Sequence, residues 1–202
     1  MILAAPNVAL RFVVEFMNGV EIRLSPAAIS DRENLLHLHK TARYETDMET
    51  VPEYAQATME SGYYEKLWND NFPSTSGESQ VIKAAISDHL VGFCRFGVLD
   101  YEYPNEKLGN LKNGLGELHQ LYVEKFYRGK YGVGEKLYRA AKEGLKQAGY
   151  RHMLISMIEG NAVARSFYEK AGAFHAYSYP DNVRRGDKVV RKMVAVYIHE
   201  NI

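Results

Sequence analysis

Cysteine is nearly missing from this sequence: Cys94 is the only one in 202 residues. One thiol excludes an intramolecular disulfide and a cysteine-built metal cluster. It suits a reducing compartment, so the expectation is a cytoplasmic protein with no metal. Net charge is missing too. Lysine and arginine together number 25, as do aspartate and glutamate, which removes any sequence-independent attraction to nucleic acid. No apolar run is long enough to cross a bilayer, so no membrane partner is expected. The most apolar stretch, MILAAPNVALRFVVEF at the start, has no basic n-region and is interrupted by Pro6, Arg11 and Glu15, which argues against a signal peptide. Val8–Phe16 reads as an extra strand or as a docking segment of the kind that forms a homodimer contact. Residues 1–19 are then an N-terminal extension of a domain at 20–202, with Met17 an alternative start. Internal repeats and low-complexity segments are also lacking.

What is present is strand and helix patterning sufficient for one full core. Glu21–Leu24 reads as a strand ended by Ser25-Pro26, and Asp31 as the N-cap of a helix through Leu35, Leu36 and Leu38. His37 and His39 are two apart, too close in sequence to share a helix face, and read as surface or boundary residues. Tyr44–Trp68, punctuated by Pro52 and Gly62, predicts two short helices or a helix and a loop. Val81–Ile86 and Leu90–Val98 form a hairpin around Ser87-Asp88-His89. Tyr101–Gly116, rich in glycine and asparagine, reads as a long loop. At the far end, Phe174–Tyr179 and Val189–Ile198 are strands separated by a turn-rich stretch. The basic residues Arg184, Arg185, Lys188, Arg191 and Lys192 are interleaved with valine and offset by Asp181 and Asp187, the pattern of a solvated hairpin.

Between these flanks lies the informative stretch, Glu117–Gly172. Glu117–Val123 (ELHQLYV) alternates like a strand, and a basic glycine loop follows: Arg128-Gly129-Lys130-Tyr131-Gly132-Val133-Gly134. Val133, Leu137, Ala140, Ala141, Leu145 and Ala148 then recur at helical spacing, and Gly149 sits where a C-terminal cap belongs. HMLISMI is a second strand. Asn161 opens a further helix, apolar at Ala164, Phe167, Tyr168 and Ala171, closed by Gly172. A strand, a glycine loop and a helix start make an anion site, because unpaired N–H groups and the helix dipole converge there. It is not a P-loop. Gly129 and Gly134 have the spacing, but Glu135 stands in place of the lysine and Lys136 in place of the hydroxyl. Nor is it a dinucleotide fingerprint, whose close glycine pair comes first, whereas Gly132 and Gly134 come last.

Leu121-Tyr122-Val123, then Gly132 and Gly134, then Asn161, Ala164, Phe167, Tyr168 and Gly172 resemble the core of the GNAT superfamily of acyl-CoA-dependent N-acyltransferases. That family places Gln/Arg-x-x-Gly-x-Gly/Ala at a helix start after a strand, and Asn-x-x-Ala-x-x-Phe-Tyr-x-x-x-Gly on a later helix. Arg128 lies four residues before Gly132 where the family has three. One residue is inserted, so Arg128, Gly129 and Lys130 remain alternatives for the pyrophosphate contact. The resemblance implies a mixed α/β (α+β) three-layer fold: a central, strongly twisted mixed sheet with helices on both faces, whose splayed parallel strands hold acetyl-CoA as cosubstrate. It implies that the backbone of Leu121, Tyr122 and Val123 pairs with the pantetheine arm. The stretch from Arg128 to Glu135, including Gly129, Lys130, Gly132, Val133 and Gly134, takes the pyrophosphate, Asn161 hydrogen-bonds the arm, and Ala164 borders it. Tyr168 stands near the sulfur.

The implied reaction is N-acetyl transfer to a primary amine by direct attack in a ternary complex. The amine must lose a proton, and the departing thiolate must be protonated or stabilised. Glu117 is the candidate base, with His119 two residues along as the alternative; strand alternation puts Glu117, His119, Leu121 and Val123 on one face. Tyr168, protonated at neutral pH, is the candidate acid. Glu45, Asp47, Glu49 and Glu53, with their neighbouring tyrosines, read as an acceptor wall suited to a cationic amine. The alternative from a different class is a non-catalytic acyl-CoA-binding sensor or partner module. Acyl transfer to oxygen or on tRNA also stays open.

Overall fold

The computed structural model describes residues 13–17, 19–72, 79–100, 103, 105–112 and 114–202. In chain order these form β1 (Val13–Met17), β2 (Val20–Pro26), α1 (Arg32–Thr50), α2 (Pro52–Glu60), α3 (Tyr63–Asn71), β3 (Ser79–Ile86) and β4 (His89–Gly97). There follow a helical turn α4 (Asn105–Leu108), β5 (Leu115–Val123), α5 (Val133–Gln147), β6 (His152–Ile158), α6 (Ala162–Lys170), β7 (Phe174–Arg185) and β8 (Lys188–Glu200). The strands make one sheet in the order β1-β2-β3-β4-β5-β6-β8-β7, antiparallel everywhere except between β5 and β6. Of the expected Val8–Phe16 strand, residues 8–12 lie outside the described chain.

Helices cover both faces. On one, Leu137 and Leu145 of α5 and Tyr168 of α6 pack on Cys94, Phe96, Leu118, Met153 and Ile155. On the other, Leu35 and Leu38 of α1 and Trp68 of α3 pack on Phe93, with Tyr122 alongside. Phe93 and Cys94 are neighbours in one strand, so they point to opposite faces, as strand geometry requires.

Several expectations change. Tyr44–Trp68 comprises the last turns of α1 and two further helices, with Pro52 at the first position of α2 and Gly62 in the left-handed region before α3. Asp31 is the N-cap residue of α1 as expected, but its side chain makes no cap hydrogen bond; its carboxylate accepts from the Ala28 N–H (2.7 Å) and from Lys83 Nζ (2.6 Å). His37 is exposed as expected, but His39 is fully buried. Its Nδ1 accepts from Trp68 Nε1 at 3.1 Å, and its ring packs against Tyr64, Phe93 and Tyr122. The 101–116 stretch is no plain loop: residues 105–112 are helical and Leu115 already belongs to β5. The terminal hairpin is longer than the turn residues suggest. β7 runs straight through Pro180, opposite Met193, to a turn at Gly186 and Asp187. β7 is the last strand in the sheet order, so a proline there leaves no interior ladder bond unmade.

Candidate functional site

β5 and β6 pair in parallel only from Leu115–Leu118 against His152–Ile155. Beyond that point β5 continues to Val123 and β6 to Ile158 without pairing, so the strands diverge and one edge of β5 is left open. At the point of divergence β5 carries a bulge. Arg95 of β4 faces Gln120 and Phe96 faces Leu118, which leaves His119 without a cross-strand partner.

The bulge corrects the simple alternation. Past it, the parity of the strand reverses: Leu121 and Val123 face the α5 core with Leu118, while Tyr122 joins Glu117 and His119 on the α1 side. Glu117 is 4% exposed and accepts from the Tyr103 hydroxyl (2.6 Å) and the Asp100 N–H (2.9 Å). His119 Nδ1 lies 3.2 Å from the Asp100 carboxylate and 3.6 Å from that of Glu117. Neither approach is aligned as a hydrogen bond, and both ring nitrogens are buried without a partner. Burial pushes the Glu117 carboxyl up, but His119, Tyr103 and the Asp100 N–H together outweigh it and hold the group below its ordinary range. Glu117 is therefore an ionised carboxylate at neutral pH. Tyr103, in the stretch read as a loop, is the partner that sequence reasoning missed; it is 5% exposed and packs with Leu115 and Leu154.

After β5, residues 125–127 make one helical turn, and Gly129, Tyr131 and Gly132 all adopt left-handed backbone angles before α5 begins at Val133. A non-glycine residue such as Tyr131 adopts that conformation only at a cost, and such residues concentrate at ligand clamps. The N–H groups of Gly129, Tyr131, Gly132, Val133, Gly134 and Glu135 donate to no acceptor in the described chain, whereas those of Arg128, Lys130 and Lys136 do. Six free donors beside a helix N-terminus form an anion cradle.

The candidate loop cations divide. Arg128 turns away from the cradle: its Nε donates to the Val123 carbonyl (2.9 Å) and its Nη2 to Glu45 of α1 (3.0 Å) and the Ala42 carbonyl (3.5 Å). Lys130 lies over the Phe126 ring, 3.8 Å from its centroid. On the opposite side of the gap, Asn161 caps α6 by accepting from the Ala164 N–H at 3.0 Å, which leaves its amide NH₂ free to donate. Tyr168 is 7% exposed and its phenol lies among Tyr122, Tyr138 and Cys94. Burial first, then those neighbours, push its pKa up. It stays protonated, and its hydroxyl has no hydrogen-bond partner among the described residues.

The acidic wall expected from Glu45, Asp47, Glu49 and Glu53 does not assemble. Glu45 is held by Arg128, Asp47 is buried against Arg43 at 3.0 Å, and Glu49 and Glu53 face solvent. Among the described residues no cluster of histidine, cysteine and carboxylates is placed to hold a metal, and no helix is long and apolar enough to cross a membrane.

A sheet with one diverging parallel pair, an anion cradle at a helix start and helices on both faces defines an acetyltransferase fold. The sequence model of the acetyltransferase (GNAT) family matches residues 39–173, and the chain belongs to that family. No curated protein sequence matches significantly, but solved structures do. The PaiA N-acetyltransferase of Thermoplasma acidophilum, in complex with coenzyme A, is 20% identical with a TM-score of 0.62, over 90% of this chain and 99% of that one. A Salmonella typhimurium protein solved with its cofactor acetyl-CoA is 13% identical, TM-score 0.59, over 89% and 93%. The ribosomal-protein-alanine N-acetyltransferase of Brucella melitensis is 16% identical, TM-score 0.58, over 88% and 98%. At these identities the likeness is one of fold.

Proposed function

We propose that the protein transfers the acetyl group of acetyl-CoA to a primary amine by direct attack in a ternary complex. The observation that carries this reading is the divergence of β5 from β6 beside a loop with six unused N–H donors. The open edge of β5 from His119 to Val123 suits a pantetheine arm. The Val123 carbonyl is already taken by Arg128, so Leu121 and Tyr122 carry the pairing. The free N–H groups of Gly129 and of Tyr131 to Glu135 hold the pyrophosphate. With Arg128 turned to Glu45 and Lys130 over Phe126, backbone rather than either side chain makes the main contact. The free amide of Asn161 and the backbone beside Ala164 border the arm.

Acetyl-CoA supplies an activated carbonyl and a thiolate leaving group. Glu117, ionised and on the α1 face, takes the ammonium proton directly or through His119 and water. Tyr168, which burial keeps protonated, donates to the departing sulfur. A backbone N–H at the bulge stabilises charge growing on the carbonyl oxygen.

Gly134→Asp tests the cradle. A Cβ at Gly134 would meet the Phe167 ring at 3.5 Å and Val123 Cγ2 at 4.0 Å, both ordinary contacts, and a carboxylate in the first turn suits the helix dipole. The variant should fold as well as wild type yet lose coenzyme A binding by calorimetry. Undiminished affinity in the folded variant overturns the site.

A further inference from the structure

The basic residues of the terminal hairpin are not all solvated. Arg184, Lys188 and Arg191 face water, but Arg185 and Lys192 turn inward onto Tyr54 of α2. Tyr54 is 1% exposed, and its hydroxyl accepts from Arg43 Nη2 of α1 at 2.9 Å and from Arg185 Nη2 at 3.1 Å. With two cationic donors on its oxygen, the Tyr54 O–H is left to point at something else. Arg185 also stacks on Tyr63, 4.0 Å from the ring centroid, and its buried Nε has no hydrogen-bond partner. Counter-charge is short. Asp47 answers Arg43 and Asp181 answers Lys192 (2.8 Å), but among the described residues no carboxylate pairs with Arg185. Three cations converge on one phenol with two carboxylates among them.

This group lies on the same face of the sheet as Glu117. Tyr122 of β5 has Arg43, Asp47, Tyr54 and Tyr63 as its charged and phenolic neighbours, and Ile158 at the end of β6 packs on Tyr54. Across the gap the balance reverses. There two carboxylates, Asp100 and Glu117, sit beside one guanidinium, Arg95, which is paired with Asp100, and the His119 imidazole lies between them. One end of the face carries the carboxylate base, the other a guanidinium without a carboxylate of its own.

Resting on the acetyl-transfer reading above, we propose that the acceptor is a small zwitterion: an amine that also bears a carboxylate or similar oxyanion, held by Arg185, Arg43 and Tyr54. The Nε of Arg185 and the O–H of Tyr54 are donors that meet no acceptor among the described residues, and such an anion would supply it. Charge-assisted hydrogen bonds from a planar guanidinium are the strong and directional kind. The polar gradient across the face sets the amine toward Glu117.

The test is acetyl-CoA-dependent thiol release by the full chain with L-methionine and L-leucine, each beside its carboxamide, and with spermidine. Amidation removes the negative charge and also lowers the pKa of the amine. That increases the free-amine fraction and works against the expected result. The free acids should exceed their carboxamides at least tenfold in kcat/KM. Arg185→Gln should lower kcat/KM for the acids roughly tenfold to a hundredfold, mainly through KM, the range for hydrogen bonds to a charged group. The carboxamides and coenzyme A affinity should be untouched. Tyr54→Phe, which keeps the ring packed on Ile158 and Val190, should give a smaller selective loss. Carboxamides or spermidine performing as well as the acids overturns the proposal, as does an equal loss on acids and carboxamides in Arg185→Gln. If no amine is acetylated, the transfer reading fails on its own account. Calorimetry of N-acetylmethionine against protein saturated with coenzyme A then decides: binding weakened by Arg185→Gln supports the anion subsite, and no binding overturns it.

Discussion

Replacing Tyr168 by phenylalanine separates chemistry from architecture at one atom. The ring packs against Tyr138 and Phe167, with centroids 5.9 and 5.3 Å away, and phenylalanine keeps both contacts. The hydroxyl has no hydrogen-bond partner among the described residues, so its removal breaks no internal bond and leaves no orphaned group. Stability should therefore move by no more than about 0.5 kcal/mol. Activity should not be so forgiving. If the phenol delivers a proton to the departing sulfur, its loss costs about 10²- to 10⁴-fold in kcat, equivalent to roughly 3–5 kcal/mol in the barrier. Burial raises the phenol's pKa, so the group is protonated at every pH the protein tolerates, and the deficit should be flat across pH. The assays are thiol release over a pH series and a thermal melt of the same sample. A variant that melts like wild type and turns over like wild type refutes the acid role. One that loses stability and activity together shows a packing role instead.

Glu117→Gln should leave coenzyme A affinity intact and lower the rate at neutral pH, the deficit shrinking at high pH where solvent supplies free amine; a deficit independent of pH would assign a positional role. The same change should cost about 1–3 kcal/mol of stability, because an amide presents a donor where Tyr103 or Asp100 already donates. Glu117 is depressed below 4.5 in the fold, so its stabilisation is complete above that value and fades as pH falls through the lower folded value; urea titrations of both proteins at neutral and acid pH should converge. Glu45→Gln should tighten coenzyme A binding severalfold, most at low salt, because a negative charge leaves the rim of an anion site. It should change stability by less than about 1 kcal/mol, since the Arg128 pair is part exposed; unchanged affinity at low salt would detach Glu45 from the cradle.

The loop, α5, β6 and α6 were legible because each is specified locally, by apolar spacing, a capping asparagine and glycines that the backbone angles require. What escaped is what two distant segments decide jointly. The bulge at His119 exists only in the pairing of β5 with β4, yet it changes which side chains share a face with Glu117. Pro180 looked like a strand end because nothing local says that β7 is outermost. Tyr103 was hidden in a stretch whose glycines and asparagines advertise turns. Arg185 and Lys192 alternate with valine as a solvated hairpin should, and only the arrival of α2 beneath them gives Tyr54 to pack on. His39 was misplaced for the same reason: a buried imidazole needs a partner, and Trp68 lies 29 residues away.

One guanidinium has a consequence for the order of events. Arg128 ties the end of β5 to α1, where Glu45 and Ala42 receive it, and α1 two residues from Glu45 carries Arg43. A ligand that draws Arg128 toward the cradle would free α1 to close on the other substrate, and a ligand that closes α1 would free Arg128 for the cradle. Such an influence is symmetric in free energy. If the cofactor strengthens acceptor binding tenfold, about 1.4 kcal/mol, the acceptor strengthens cofactor binding by the same factor. A catalyst wired this way would favour the ternary state over either binary one. Each departing product would weaken the hold on the other, so the enzyme would empty itself in pairs.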